Sequence, residues 1–415
     1  MLQSKLFTKT RKLAPKDEVS KNAQLLVRAG FIDKLQAGVY SYLPLGLRVL
    51  ERIEGIIRQE MNGVAAQELL MPALQPKEPW VATGRWDTLD VLYKVKDVGN
   101  REYALGPTHE EVIVPLVKQF LGSYKDLPFS AYQFQTKFRM ELRSKSGILR
   151  GREFLMKDQY SFHRDEADLD VYYEHMKTVY MRIFQRVGIG EQTFLTFASG
   201  GTFAKYSHEF QTLTSAGEDT IYLCTSCRLA VNDEIWADVG KCPECGKQNT
   251  EKKKAIEVGN IFKLMAKYSK PFDLTYKDVD GADHLVIMGT YGIGLGRLMG
   301  AVVEVLADEA GLVWPRSIAP FDVHLVGLFG RGDDTVQKNA LSFYEQLQQA
   351  GIRVLYDDRE IQAGEKLADA DLIGIPVRCV VSSKTGQSVE FKERTSKKTE
   401  LMSMNEIINR LQSGN

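Results

Sequence analysis

The chain has 415 residues, 44% of them hydrophobic and 26% charged, enough for two or three soluble globular domains that each bury a core. Its 54 basic and 54 acidic residues cancel, which excludes a global basic field and leaves nucleic-acid contact to local patches. No apolar run approaches the roughly 20 residues that span a bilayer, and the basic N-terminus up to Lys16 lacks an apolar stretch, so neither a membrane helix nor a presequence is expected.

Leu47, Leu50, Ile53, Ile57 and Met61 recur at three- and four-residue intervals and predict an amphipathic helix. The run Glu68-Leu-Leu-Met-Pro72 follows, ending at a proline as an edge or terminal strand would. From Tyr132 to Tyr160 the pattern predicts two strands joined by a basic, glycine-containing loop, Leu142 to Gly151. Residues 165–187 return to helical period, with Leu169, Tyr172, Met176, Tyr180 and Ile183 on one face. Residues 247–254 are polar and read as a solvated tether, after which a glycine-rich turn leads into a helix near Gly296. Pro315 and Pro320 mark a boundary. Beyond Phe321, a strand from Val323, a helix over Val336–Ala350 and a strand over Ile352–Tyr356 predict a separate α/β unit of about 95 residues.

Four of the five cysteines, Cys224, Cys227, Cys242 and Cys245, form two C-x2-C pairs separated by fourteen residues. That spacing suits one tetrahedral Zn²⁺ held by four thiolates, a saturated and therefore structural site. Clustered free thiols point to a reducing, cytoplasmic compartment. Cys379 lies in an apolar stretch and reads as a core thiol.

Arg139 and Glu141 stand two apart on a predicted strand, so they share a face; the first can hold a phosphate and the second can accept from an exocyclic amine. Phe154, on the returning strand, can stack under a purine. The same alternation also fits a solvated face. Gly289-Thr-Tyr-Gly292-Ile-Gly294-Leu-Gly296-Arg297 lacks the G-x-G-x-x-G spacing of a dinucleotide fingerprint, and fits either a tight turn or a backbone approach to phosphate.

Together with the helix–strand–Pro72 element, these resemble the three signature motifs of class II aminoacyl-tRNA synthetases. Tyr40-Ser-Tyr-Leu-Pro-Leu-Gly46, Gln67-Glu-Leu-Leu-Met-Pro72, Gly106-Pro-Thr-His-Glu-Glu111, Gly151-Arg-Glu-Phe-Leu-Met-Lys-Asp158, Ile256-Glu-Val-Gly259, Asp357-Asp-Arg359 and Ala368-Asp-Ala-Asp-Leu-Ile-Gly-Ile-Pro376 are similar to the bacterial-type prolyl-tRNA synthetase family. The resemblance covers nearly the whole chain except about 224–254.

It implies an α/β protein: an α+β catalytic domain on the class II antiparallel sheet flanked by helices, a small zinc-knuckle insertion, and a C-terminal α/β anticodon-binding domain. The boundaries it implies are 1–223 for the first catalytic part with motifs 1 and 2, 224–254 for the insertion, 255–319 for the second catalytic part with motif 3, and 320–415 for the anticodon-binding domain. The implied activity is ATP-dependent attachment of L-proline to tRNA(Pro) through prolyl-adenylate, by a homodimer joined through the element ending at Pro72.

The resemblance also implies roles. Arg139 bridges the ATP α-phosphate and the amino-acid carboxylate, Glu141 reads the adenine amine, Phe154 stacks on the ring, and Arg297 holds the γ-phosphate, with Arg150 a second phosphate candidate. Glu257 is the candidate Mg²⁺ ligand. Thr108 and Glu110 match a Thr-x-Glu loop that receives the two N–H bonds of prolinium, with Arg139, Phe154, Met156 and His208 completing the proline pocket. His109, between them, should face away. In the C-terminal domain Arg359 and Lys366 are candidates for anticodon contact, and Arg378 a weaker one.

Three positions depart from the family pattern: Phe203-Ala-Lys-Tyr206 replaces a Gly/Ser-rich run, Asn260 a histidine, and Met265 a glycine. Bacterial relatives carry an inserted editing domain that removes mischarged alanine, where this chain has about thirty residues. Loss of cis-editing is expected, with mischarged Ala-tRNA(Pro) either cleared by a separate trans-editing deacylase or tolerated. Two other readings are a catalytically inactive paralogue acting as a tRNA-binding module, against which Arg139, Glu141 and Arg297 argue, and a threonine or serine synthetase, which the Thr108/Glu110 loop disfavours.

Overall fold

The computed structural model describes residues 1–142, 146–201, 205–330 and 334–413. The chain forms two compact units, one of Gln36–Tyr40 and Ile53–Ala301, the other of Met1–Leu35, Ser41–Arg52 and Val302–Asn415.

The expected amphipathic helix is α1 (Pro44–Gly63), which buries Val49, Leu50, Ile53, Ile57 and Met61 at helical spacing. It leads to β1 (Gln67–Glu68), α2 (Glu110–Lys118), β2 (Phe129–Phe138) and β3 (Glu153–His163). Next comes α3 (Glu166–Arg186). The Asp165 side chain caps its start by accepting from the Asp168 amide, and Leu169, Tyr173, Met176, Tyr180 and Ile183 form its buried stripe. The remaining elements are β4 (Thr193–Ser199), β5 (Tyr206–Leu213), β6 (Asp219–Cys224), β7 (Ala230–Asn232), α4 (Asp233–Val239), β8 (Thr250–Met265), β9 (Ile287–Gly294) and α5 (Leu295–Leu306).

Among the described residues nine strands form one sheet in the order β5-β4-β7-β6-β8-β9-β3-β2-β1. Pairing is antiparallel except at β1/β2 and β4/β7. β5 also pairs with β8, so β5-β4-β7-β6-β8 closes into a ring around Phe194, Ile221, Ala230 and Ala255. One face of the sheet carries α3: a Cβ on Gly259 would lie 3.2 Å from both Phe184 and Tyr180, and Lys157 donates to the Tyr180 hydroxyl at 2.6 Å. The opposite face carries the candidate site.

Two expectations change here. The polar stretch 247–254 is a tether only as far as Asn249: β8 starts at Thr250 and runs unbroken to Met265, paired with β6 from Cys224 to Asp219. Its lysines hid the strand because that end of β8 is solvent-facing, with Lys252 over the Tyr222 ring at 5.2 Å. The glycine cluster is likewise a strand, β9, and not a turn. Its glycines serve close packing: a Cβ on Gly292 would come within 2.4 Å of the Met156 methyl and 3.0 Å of Asn260 Oδ1.

In the other unit, β10 (Val323–Leu328), α6 (Asp334–Gln349), β11 (Val354–Asp357), α7 (Ala363–Ile373), β12 (Val377–Ser382), β13 (Val389–Glu393), β14 (Glu400–Met402) and α8 (Met404–Ser413) form the expected α/β arrangement. The sheet order is β11-β10-β12-β13-β14, with the first three parallel and joined by helical crossovers. Val323, Leu325, Phe343, Val377, Phe391 and the fully buried thiol Cys379 make its core. No helix among the described residues is long and apolar enough to cross a membrane.

Candidate active site

β2 stops at Phe138, so Arg139 and Glu141 sit just beyond the strand rather than alternating on it. The Arg139 amide still donates to Arg152 O at 2.9 Å, and the Glu141 amide turns back onto Arg139 O at 2.7 Å. Both side chains reach a cavity of about 240 Å³ that Arg150, Glu218, Glu257 and Arg297 also line. The Arg139 guanidinium lies over the Phe154 ring at 5.2 Å and donates to Pro107 O at 3.4 Å. Arg297, from the first turn of α5, donates to Leu149 O at 2.9 Å and pairs with Glu257 at 3.3 Å. Arg150 pairs with Glu141 at 2.9 Å and Glu218 at 2.6 Å.

Burial and the positive charge of Arg297 hold Arg139 below its ordinary value, opposed by Glu257, Glu141 and Glu110. Two guanidinium groups that repel each other inside one cavity stabilise an incoming anion, which suits a polyphosphate.

Glu257 and Asn260 share this face although they are three residues apart. The register of β5 against β8 skips Val258, and this bulge turns both toward the cavity. Asn260, one of the departures from the family pattern, donates to Glu257 Oε1 at 2.6 Å.

The Thr108 hydroxyl donates to Glu110 Oε2, and Glu110, only 4% exposed, opens α2. Arg85 lies 3.7 Å from Glu110 and 2.9 Å from Glu111. Burial, against the pull of Arg85 and with the push of Glu110, raises Glu111 to about 7. His109 does face away: it is fully buried, with Nε2 3.1 Å from Pro72 O and Nδ1 2.7 Å from Lys137 Nζ. Burial and Lys137 lower its pKa to about 4, so it is neutral. Lys137 in turn pairs with Asp158 at 2.6 Å, and Asp158 accepts from Tyr160 at 2.9 Å and Gln133 at 3.0 Å. This buried network, with Gln75 donating to Thr108 O at 3.1 Å, fixes the Thr108–Glu110 loop from behind. Lys137, Gln75 and Gln133 were not singled out from sequence, since only the packed fold reveals that they are buried.

Met156 lies on the cavity side, its sulfur 3.9 Å from Arg139 Nη2. His208 does not join it. It sits on the α3 face, with Nδ1 3.0 Å from the Tyr173 hydroxyl and its ring edge-on to Phe197 at 5.0 Å. Its neighbour Glu209 takes the cavity face, because alternate strand residues point to opposite sides. Of the altered wall Phe203–Tyr206, positions 203 and 204 lie outside the described residues.

The four clustered cysteines converge, with all Sγ atoms within 4.8 Å of one another and closest approaches of 3.4 and 3.5 Å. These separations exceed the ~2.05 Å of a disulfide and bracket the ~3.8 Å edge of a tetrahedron with 2.3 Å Zn–S bonds. The donor set and spacing therefore fit a single Zn²⁺.

Residues 93–306 match the family described as tRNA synthetase class II core domain (G, H, P, S and T), and 318–414 match the anticodon binding domain family. The proline–tRNA ligase of Geobacillus sp. (strain WCH70) is 35% identical over 98% of this chain and 98% of its own length. That of Geotalea daltonii is 33% identical over 100% and 99%. The chain belongs to the proline–tRNA ligase family. The Geobacillus alignment extends over 560 positions against 415 residues here, so at least 145 aligned positions have no counterpart in this chain. A crystal structure of prolyl-tRNA synthetase from Cryptosporidium parvum, complexed with L-proline and AMP, shares the fold, with a TM-score of 0.75, 18% identity, and 94% of this chain and 74% of that one covered.

In the anticodon-binding domain of this ligase-family chain, the expected base contacts are differently placed. Lys366 is fully buried, donating to Gly327 O at 2.6 Å beneath the Phe329 ring. Arg359 is 14% exposed and closed in by Asp357 at 2.6 Å and Asp369 at 2.8 Å. Arg378 pairs with Asp371 at 2.9 Å. Lys366 and Arg359 are engaged by neighbouring groups of the fold, whereas Arg378 keeps its Nε buried without a hydrogen-bond partner among the described residues.

Proposed function

We propose that the protein attaches L-proline to tRNA(Pro) in two steps. A proline carboxylate oxygen attacks the ATP α-phosphorus, the bond to pyrophosphate breaks, and prolyl-adenylate forms. The tRNA 3′-terminal hydroxyl then attacks the prolyl carbonyl and AMP leaves. The observation that carries this reading is the Thr108–Glu110 pair beside Arg139 in a class II core, for it offers two acceptors to a prolinium nitrogen that has two N–H bonds. Arg139 would neutralise carboxylate and α-phosphate as they meet, Phe154 and Glu141 would hold adenine, and Arg297 would take the charge of the leaving pyrophosphate. Glu257 would hold Mg²⁺, whose chemistry when bound is to neutralise phosphate charge.

Cys224, Cys227, Cys242 and Cys245 would hold a structural Zn²⁺. A homodimer is supported by the apolar groove along β1, about 460 Å³, beside exposed Phe120, with exposed Leu70 just beyond β1. The missing aligned positions support loss of an editing domain near 224–254, leaving mischarged Ala-tRNA(Pro) to a separate deacylase. Arg359 and Lys366 would shape the anticodon-binding surface from beneath. Aminoacylation of tRNA(Pro) with labelled proline tests the reading; charging with threonine or serine but not proline would overturn it.

A further inference from the structure

We propose that Glu218 is a positioning residue for ATP, holding Arg150 in the orientation in which it meets the nucleotide; this rests on the proline–tRNA ligase reading. Glu218 lies outside the signature motifs, on the turn that enters β6 and ends six residues later at Cys224. Its carboxylate accepts from Ser146 Oγ at 2.6 Å with one oxygen and from Arg150 Nη1 at 2.6 Å with the other. Glu141 accepts from Arg150 Nε at 2.9 Å. Two carboxylates on two different nitrogens fix the plane of the guanidinium, and Nη2 makes no hydrogen bond to another described residue. Arg150 is thus oriented on the wall of the nucleotide cavity with one donor nitrogen left for a phosphate oxygen.

The turn that carries Glu218 is built to stay in place. The Gly217 amide donates to Thr214 O at 3.1 Å, Thr214 donates to Lys254 O at 3.2 Å, and Asp219 pairs with Ala255. A Cβ at Gly217 would lie 2.1 Å from Ala255 O, so only glycine allows this turn to sit so close to β8. Glu218 is therefore held by a strand of the catalytic sheet while its carboxylate reaches across the cavity rim to the segment after β2. Its contact with Arg150 is half-exposed, which suits an orienting role more than a stabilising one.

ATP affinity by isothermal titration, with ATP–pyrophosphate exchange alongside, tests this in four proteins: unsubstituted, Glu218→Ala, Arg150→Ala and the double variant. Glu218→Ala should weaken ATP binding about three- to tenfold, the effect of one charge-assisted contact, while kcat stays within twofold and the KM for proline is unchanged. In the Arg150→Ala background the same change should add less than twofold, because it acts through Arg150. Glu218→Gln, which keeps an acceptor, should restore most of the affinity, and it serves as the test if Glu218→Ala does not fold. Unchanged or tighter ATP binding, or a full independent effect without Arg150, overturns the proposal. Intact ATP binding without proline-dependent exchange would count against the proline reading and leave the Glu218 comparison legible in ATP affinity alone.

Discussion

The Thr108 hydroxyl donates to the Glu110 carboxylate while His109, between them, turns its ring inward to Pro72 O and Lys137. One short segment thus presents two acceptors to the ligand side and anchors itself on the protein side.

Substitutions there should fall on proline use. Glu110→Gln should lower kcat/KM for proline about 10- to 150-fold, the worth of a hydrogen bond to a charged group, and Thr108→Ala about 2- to 10-fold. The KM for ATP should move less than threefold in both. Steady-state exchange kinetics at varied proline and ATP check this; an ATP-dominated defect would contradict it.

The cysteine cluster should carry one zinc per chain. Because β6 ends at Cys224 and belongs to the catalytic sheet, Cys224→Ser should remove the metal and lower the melting temperature by ~6–10 °C, a loss of about 3 kcal/mol. Metal analysis and thermal melts read both. Unchanged zinc content would exclude the site.

Two buried histidines should each contribute a loss of stability on acidification at pH values above the ordinary carboxylate range. Burial, and Lys137 beside it, lowers His109 to about 4, and burial lowers His324 to about 4. Both start from an ordinary value of 6.5. Between those values the unfolded chain binds protons that the folded chain does not. The contribution of these two histidines is therefore full above about 6.5 and falls as pH drops toward 4, by at most about 3 kcal/mol for each. Glu111 and Glu209, raised by burial to about 7 and about 8, work the opposite way over the same range, so the histidine share is read by difference. Urea unfolding at pH 7.5, 6.5, 5.5 and 4.5 should show a shallower acid loss in His324→Gln than in the unsubstituted chain, and an identical pH dependence would contradict it.

Met265 has φ of 52°, in the left-handed region, at a bulge of β8 against β9. A side chain there costs about 1–2 kcal/mol, a cost that glycine does not carry. Met265→Gly should raise stability by about 0.5–1 kcal/mol, net of the entropy glycine loses on folding. Denaturant titration checks the sign.

What the sequence revealed was short-range. The spacing of Leu47 through Met61 marked a helix, and the paired cysteines marked a shared centre, since each depends on neighbours along the chain. Facing and burial were less accessible. His208 and Glu209 differ by one residue and point to opposite sides of β5, and only packing of α3 decides which side is which. A bulge at Val258 reset the parity of Glu257 against Asn260. Lys366 reads as a surface charge until the Gly327 carbonyl and the Phe329 ring close over it. The glycines of β9 read as a turn because the side chains that exclude a Cβ there, Met156 and Asn260, come from other strands.

The most direct test is amino-acid-dependent ATP–pyrophosphate exchange with proline, alanine, threonine and serine side by side. Strong exchange with proline, weak but measurable exchange with alanine, and none with threonine or serine is the expected result. Alanine exchange follows because the lost methylenes give only about 1–3 kcal/mol each of discrimination. No exchange with proline, from protein that still binds ATP, would contradict the assignment of Thr108, Glu110 and Arg139 as a working proline-activating site.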